Sequence, residues 1–149
     1  SLQKKVSLNM KIVKPWILAI TIALFAVCFT SCEEDTPIPY TKVDFNVNIH
    51  TNNLIHIGGY EYFSGGISGI IIYRLDMNTF YAYDRACPFD WQEGGRVEVD
   101  SIDKFTLIDY KCGSTFNILN GYPIDGLSNR PLRIYNASLI NDITLRVYN

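Results

Sequence analysis

The chain has 149 residues, a formal net charge of −2, 48% hydrophobic residues and 13% aromatic residues. That aromatic content, with little low-complexity sequence, argues against disorder, and the lack of any basic cluster argues against nucleic acid as a partner. All the acidic side chains fall in residues 33–149. There nine Lys and Arg face fifteen Asp and Glu, a formal charge of −6, in a length that suffices for one domain with one core.

Residues 1–32 read as an export signal. Lys11 and Lys14 make a basic start, and Trp16 to Phe29 is an uncharged apolar run of 14 residues. That run is short for a bilayer span and suits a signal peptide's apolar region. It ends in Phe29-Thr30-Ser31-Cys32, which resembles the lipobox of bacterial lipoproteins, so Cys32 is expected to carry lipid and tie the chain to a bilayer. Glu33, Glu34 and Asp35, then Thr36-Pro37-Ile38-Pro39, form an acidic, Pro-containing tether over 33–41. An acidic run in that place also resembles the surface-export signal of lipoproteins in the Bacteroidetes. The expected location is the cell envelope, lipid-anchored, on a periplasmic or surface face of the outer membrane. An ordinary signal peptide with Cys32 incidental, or an N-terminal anchor helix, would read similarly.

Residues 42–149 are the folded domain. Val43, Phe45, Val47 and Ile49 alternate with polar residues, the period of a half-buried strand. Leu54, Ile55 and Ile57 form a short apolar segment, and Tyr60 to Phe63 with Gly65-Gly66 read as an aromatic loop. Gly69 to Arg74 is a continuous β-branched run, Asp76-Met77-Asn78 a turn, and Thr79 to Asp84 the returning hairpin strand. Further strand signals cover Arg96–Asp100, Lys104–Asp109, Thr115–Leu119, Leu132–Ala137 and Ile143–Tyr148, with Asn141-Asp142 as a hairpin turn. Strands at this spacing, with no useful helical periodicity, predict an all-β sandwich or barrel.

Two of these strands each deliver a cysteine into a loop: Ala86-Cys87-Pro88-Phe89-Asp90 and Lys111-Cys112-Gly113-Ser114-Thr115-Phe116. A Gly/Pro-rich third loop, Gly121-Tyr122-Pro123-Ile124-Asp125-Gly126, follows, and then Pro131-Leu132-Arg133-Ile134-Tyr135. This pattern resembles the cluster-binding part of a Rieske iron-sulfur domain, over roughly 43–148 and most specifically over 84–135. There one loop reads Cys-x-His, the next Cys-x-x-His-Gly-Ser-x-Phe, and a Pro-containing loop covers the cluster. The resemblance implies a Rieske-like antiparallel β sandwich or barrel with a small loop-bearing subdomain.

The departures decide the chemistry. The first histidine position holds Phe89, the second cysteine position Asp109 and the second histidine position Cys112; only Cys87 is the expected type in its place. A Rieske centre takes two thiolates on one iron and two imidazoles on the other, and the two histidines here, His50 and His56, lie far upstream. The expected reading is a degenerate member without a cofactor and without catalytic residues, a non-catalytic interaction or structural module. The alternative is a [2Fe–2S] electron-transfer protein or oxidoreductase component with atypical ligands.

In the Rieske arrangement both loop tips converge on one small cluster, so the resemblance implies that Cys87 and Cys112 come close enough for a disulfide. Two free buried thiols remain the alternative. Asp90 and Asp109 could add oxygens to a Cys2Asp2 metal site, although soft thiolates and hard carboxylates suit different metals, and no metal is expected. Ser114 reads as a turn residue bonding its own loop, and Asp100 with Asp103 as turn chemistry. Phe89, Trp91, Tyr110, Phe116 and Tyr122 gather near the loops. They either fill the space a cluster would take, Phe89 foremost, or present an interaction surface for an envelope protein or small ligand.

Overall fold

The structure is a computed structural model that describes residues 38–149. The signal region, Cys32 and most of the tether lie outside the described residues, among which no helix is long and apolar enough to cross a membrane.

Among the described residues, ten strands form two antiparallel sheets. In chain order they are β1 (Asp44–Asn48), β2 (Tyr60–Phe63), β3 (Ile70–Arg74), β4 (Phe80–Asp84), β5 (Glu98–Val99), β6 (Thr106–Ile108), β7 (Thr115–Asn117), β8 (Pro123–Asp125), β9 (Ile134–Asn141) and β10 (Thr144–Tyr148). The large sheet runs β1-β10-β9-β4-β3-β2 and the small sheet β5-β6-β7-β8. The all-β expectation holds, and the small sheet is the loop-bearing subdomain.

The hairpin β3–β4 divides the molecule into two cores. Side chains alternate across a strand. Ile70, Ile72, Phe80 and Ala82 therefore enter one core with Val43, Val47, Leu54, Tyr135, Leu145 and Val147. Ile71, Tyr73 and Tyr83 enter the other with Cys87, Val97, Leu107, Phe116, Ile118 and Leu132. A strand covered on both faces has no polar side to show, which is why β3 reads as a continuous apolar run. Its closing turn is held by Asp76, whose carboxylate accepts the Asn78 and Thr79 N–H groups at 2.8 Å each.

Two local readings change. Tyr60–Phe63 is not a loop but edge strand β2, paired with β3 from Tyr60↔Tyr73 to Phe63↔Ile70; its Tyr hydroxyls and the neighbouring Gly pairs hide the strand signal. Leu54 and Ile55 lie in a 3-10 turn, Asn53–Ile55, capped by the Asn52 side chain. Buried Arg74 serves that turn, donating to the carbonyls of Leu54 at 2.8 Å and Ile55 at 3.2 Å. The Asp100–Asp103 pair is turn chemistry: Asp100 accepts the Ile102 N–H at 2.7 Å and Asp103 the Phe105 N–H at 3.0 Å.

Candidate functional site

β4 ends at Asp84 and releases the first loop. The Cys87 N–H donates to the Gly95 carbonyl at 3.2 Å, while the Cys87 carbonyl accepts from Trp91 at 2.9 Å. These bonds fold 87–95 into a tight knuckle that aims the Cys87 sulfur inward, where the residue is fully buried. β6 ends at Ile108 and releases the second loop, held by the Gly113 N–H on the Asp109 carbonyl at 2.8 Å. An isolated bridge between Ala86 and Arg96 closes the base of the first loop.

The two knuckles bring four side chains together. Cys87, Asp90, Asp109 and Cys112 each offer one donor atom, and these atoms all lie within 4.8 Å of one another. The two sulfurs are 3.6 Å apart. A disulfide needs about 2.05 Å, so both cysteines are free thiols in this arrangement, although the tips converge as the resemblance implies. Asp109 is 1% exposed; its Oδ1 accepts the Lys111 N–H at 2.8 Å, which leaves Oδ2 for the interior. Asp109 Oδ2 and Asp90 Oδ1 are buried without a hydrogen-bond partner. A buried carboxylate oxygen left unpaired is costly. Here two face the same small space.

The electrostatics match the geometry. Burial pushes the Cys87 thiol far above the ordinary thiol range, reinforced by Cys112 and by the Asp109 charge. Burial likewise raises the Asp90 carboxyl, as does Asp109, while the neighbouring Cys87 thiol and the Lys111 charge act in the opposite direction. Burial thus disfavours the charged forms of Cys87 and Asp90.

The surrounding shell is specific. Gly95 is buried beside the tetrad, and a Cβ there would run into Asp90 Oδ1 and Asp109 Oδ2; the sequence shows a Gly-Gly pair but not that its second member must be bare. Ser114 bonds its own loop through Cys112 and also reaches beyond it. Its buried hydroxyl accepts the N–H groups of Leu127 at 3.1 Å and Ser128 at 2.9 Å, and accepts from the Cys112 thiol at 3.2 Å. Ser114 therefore ties the third loop down over the second, with Gly126 packed on the Ser114 backbone at φ +98°.

Phe89 is half-buried and packs with Cys112 against the core that holds Phe116. Tyr110 and Tyr122 are each 62% exposed, so the loop aromatics divide between filling the core and facing solvent. His50 and His56 are both exposed, and neither joins the tetrad.

Compared with protein-family models and with curated protein sequences, the chain matches none. Among solved structures it is similar to a complex of reduced oxygenase and oxidised ferredoxin in carbazole 1,9a-dioxygenase. That match has 16% identity and a TM-score of 0.51, and covers 72% of this chain and 94% of the other. It is also similar to a putative NADH-dependent nitrite reductase small subunit from Mycobacterium tuberculosis (16% identity, 74% and 97% covered, TM-score 0.47). A third is the ferredoxin of carbazole 1,9a-dioxygenase from Nocardioides aromaticivorans IC177 (17% identity, 72% and 97% covered, TM-score 0.44). The fold is Rieske-like.

Proposed function

We propose that the chain is an exported, lipid-anchored envelope protein. Its Rieske-like domain acts as a non-catalytic interaction or structural module and carries no [2Fe–2S] cluster. The observation that carries this reading is the donor set at the loop tips. A Rieske cluster needs imidazoles on one of its irons, whereas Phe89 and Cys112 stand at the histidine positions. Two irons bridged by two sulfides also hold their ligands at opposite ends, and donor atoms all within 4.8 Å of one another leave room for a single ion. The residues present do not fit that cluster.

The anchor rests on the lipobox-like Cys32 and the acidic tether behind it. In an oxidising compartment the Cys87 and Cys112 sulfurs need only a small approach to bond. The bridge would staple the two loops and stabilise the domain by about 3–4 kcal/mol on the chain-entropy estimate. The exposed face around Tyr110 and Tyr122 is the candidate contact for an envelope protein or small ligand.

The test is made on the full chain recovered from membranes. The expected result is a lipid adduct that Cys32→Ala removes, and no iron or acid-labile sulfide. Alkylation without reductant is expected to leave Cys87 and Cys112 unmodified. Two irons and two sulfides per chain would instead establish the electron-transfer reading, which the fold alone favours.

A further inference from the structure

We propose that Cys87, Asp90, Asp109 and Cys112, with both thiols reduced, bind one thiophilic divalent cation of the zinc class. The proposal rests on the reading that these loop tips hold no [2Fe–2S] cluster, and goes beyond it. A disulfide between the two sulfurs and a bound ion exclude each other.

The spacing is that of ligands sharing one ion. Zinc binds thiolate sulfur at about 2.3 Å in tetrahedral sites, which sets two sulfurs roughly 3.8 Å apart by the tetrahedral angle. The observed separation is 3.6 Å, far from a covalent bond and close to that edge. Carboxylate oxygens bind zinc at about 2.0–2.2 Å, so the oxygen edges would be shorter still. With donor atoms up to 4.8 Å apart, the longest edge would close by about 1 Å around an ion.

A cation would also account for what the protein alone leaves unexplained. Asp109 is almost fully buried, its Oδ1 is used by the Lys111 N–H, and its Oδ2 is buried without a partner, beside Gly95 and close to Asp90 Oδ1. Asp90 Oδ1 is in the same condition. Four acids meet here, and the nearby cation, Lys111, spends its ammonium on the Glu93 carbonyl at 2.6 Å and carboxylate at 3.3 Å. A divalent ion placed between two thiolates and two carboxylates would supply the missing charge and the missing partners together. Buried charges are tolerated when they coordinate metals.

The donor set also fixes which ion fits. Two thiolates select against magnesium and calcium, which take oxygen ligands. Four donors, two of them thiolates, favour tetrahedral zinc, or cobalt(II) as its spectroscopic substitute. The shell is built as metal sites require: Ser114 Oγ lies 3.2 Å from the Cys112 sulfur, where its hydroxyl would donate to the thiolate, the Lys111 N–H orients Asp109, and Gly95 leaves the space bare.

The experiment titrates cobalt(II), then zinc, into the full chain in detergent, kept reduced with a phosphine. One equivalent of cobalt is expected to give thiolate-to-cobalt charge-transfer absorption and intense tetrahedral visible bands, both abolished by one equivalent of zinc. Cys112→Ser is expected to lose most of the charge-transfer intensity, and Asp109→Asn to weaken cobalt binding at least ~100-fold, since loss even of an outer-shell partner costs about 10–100-fold. Asp90→Asn serves as a second carboxylate variant should Asp109→Asn fail to fold. Weak octahedral bands only, or a cobalt spectrum unchanged in Cys112→Ser and Asp90→Asn, would overturn the site while leaving the cluster-free reading standing. Stoichiometric iron with acid-labile sulfide in the chain as isolated would overturn both.

Discussion

Asp84 is the last residue of β4, fully buried, and its two oxygens accept four hydrogen bonds. Oδ1 takes the N–H groups of Ser68 at 3.1 Å and Ala86 at 2.9 Å; Oδ2 takes the N–H of Ile67 at 2.7 Å and the Tyr135 hydroxyl at 2.8 Å. One carboxylate thus joins the turn before β3, the root of the Cys87 loop and β9. Asp84→Ala would orphan four donors, two buried and two part-buried, and is expected to cost about 3–5 kcal/mol, since each unsatisfied buried group costs roughly 1–3 kcal/mol and neighbours relax in part. Tyr135→Phe removes one bond to a charged acceptor, about 1.5–3 kcal/mol. Urea unfolding followed by tryptophan fluorescence measures both, and equal losses for the two variants would refute the hub role. Nothing in the sequence marks Asp84, because its partners at 67, 68 and 135 are distant in the chain. Asp90 and Asp109 are legible as oxygen donors near the cysteine loops. That both keep a buried, unpartnered oxygen depends on where two backbones cross.

At the scale of elements, the hairpin β3–β4 sends successive buried side chains into two separate cores. Ile71 and Ile72 are adjacent, both fully buried, and face opposite ways. On a sheet with one wet face, one of two neighbouring truncations would be nearly neutral. Here Ile71→Ala and Ile72→Ala are each expected to cost about 2–5 kcal/mol, the usual range for deleting a buried Ile side chain. A chemical-denaturation pair showing one of them below ~1 kcal/mol would contradict the two-core architecture. The strong strands were legible because burial on both faces writes a β-branched run, and because Val43 to Ile49 alternates with period two. β2 and β8 were not. β2 (Tyr60–Phe63) lies at the sheet edge beside Gly pairs, and β8 (Pro123–Asp125) is three residues long and begins with proline, so neither carries a periodic signal of useful length.

The whole molecule couples its tip to its stability. Cys87 is at once a wall of the second core and a member of the tetrad, so whatever fills the tip acts on the packing beneath it. Without a cation, folding buries acids in a site that pushes both the Cys87 thiol and the Asp90 carboxyl toward their protonated forms. A raised carboxyl pKa favours the folded state below that pKa and penalises it as pH rises through it. The metal-free, reduced protein is therefore expected to lose stability as the solution passes upward through the carboxylate range, and Asp90→Asn to lessen that loss. Zinc reverses the sign. Coordination needs deprotonated ligands, so its stabilisation grows with pH and, at a free zinc concentration of 100 times Kd, reaches about 2.7 kcal/mol by mass action. For a domain of this size that corresponds to a rise in Tm on the order of 10 °C. Melting the reduced full chain with zinc or with a chelator, at pH 5.5 and 7.5, separates the two behaviours. The zinc increment is expected to be larger at the higher pH and to fall to about 0.4 kcal/mol or less in Asp109→Asn. An equal increment at both pH values, or one that survives Asp109→Asn, would place the zinc somewhere other than between the two loops.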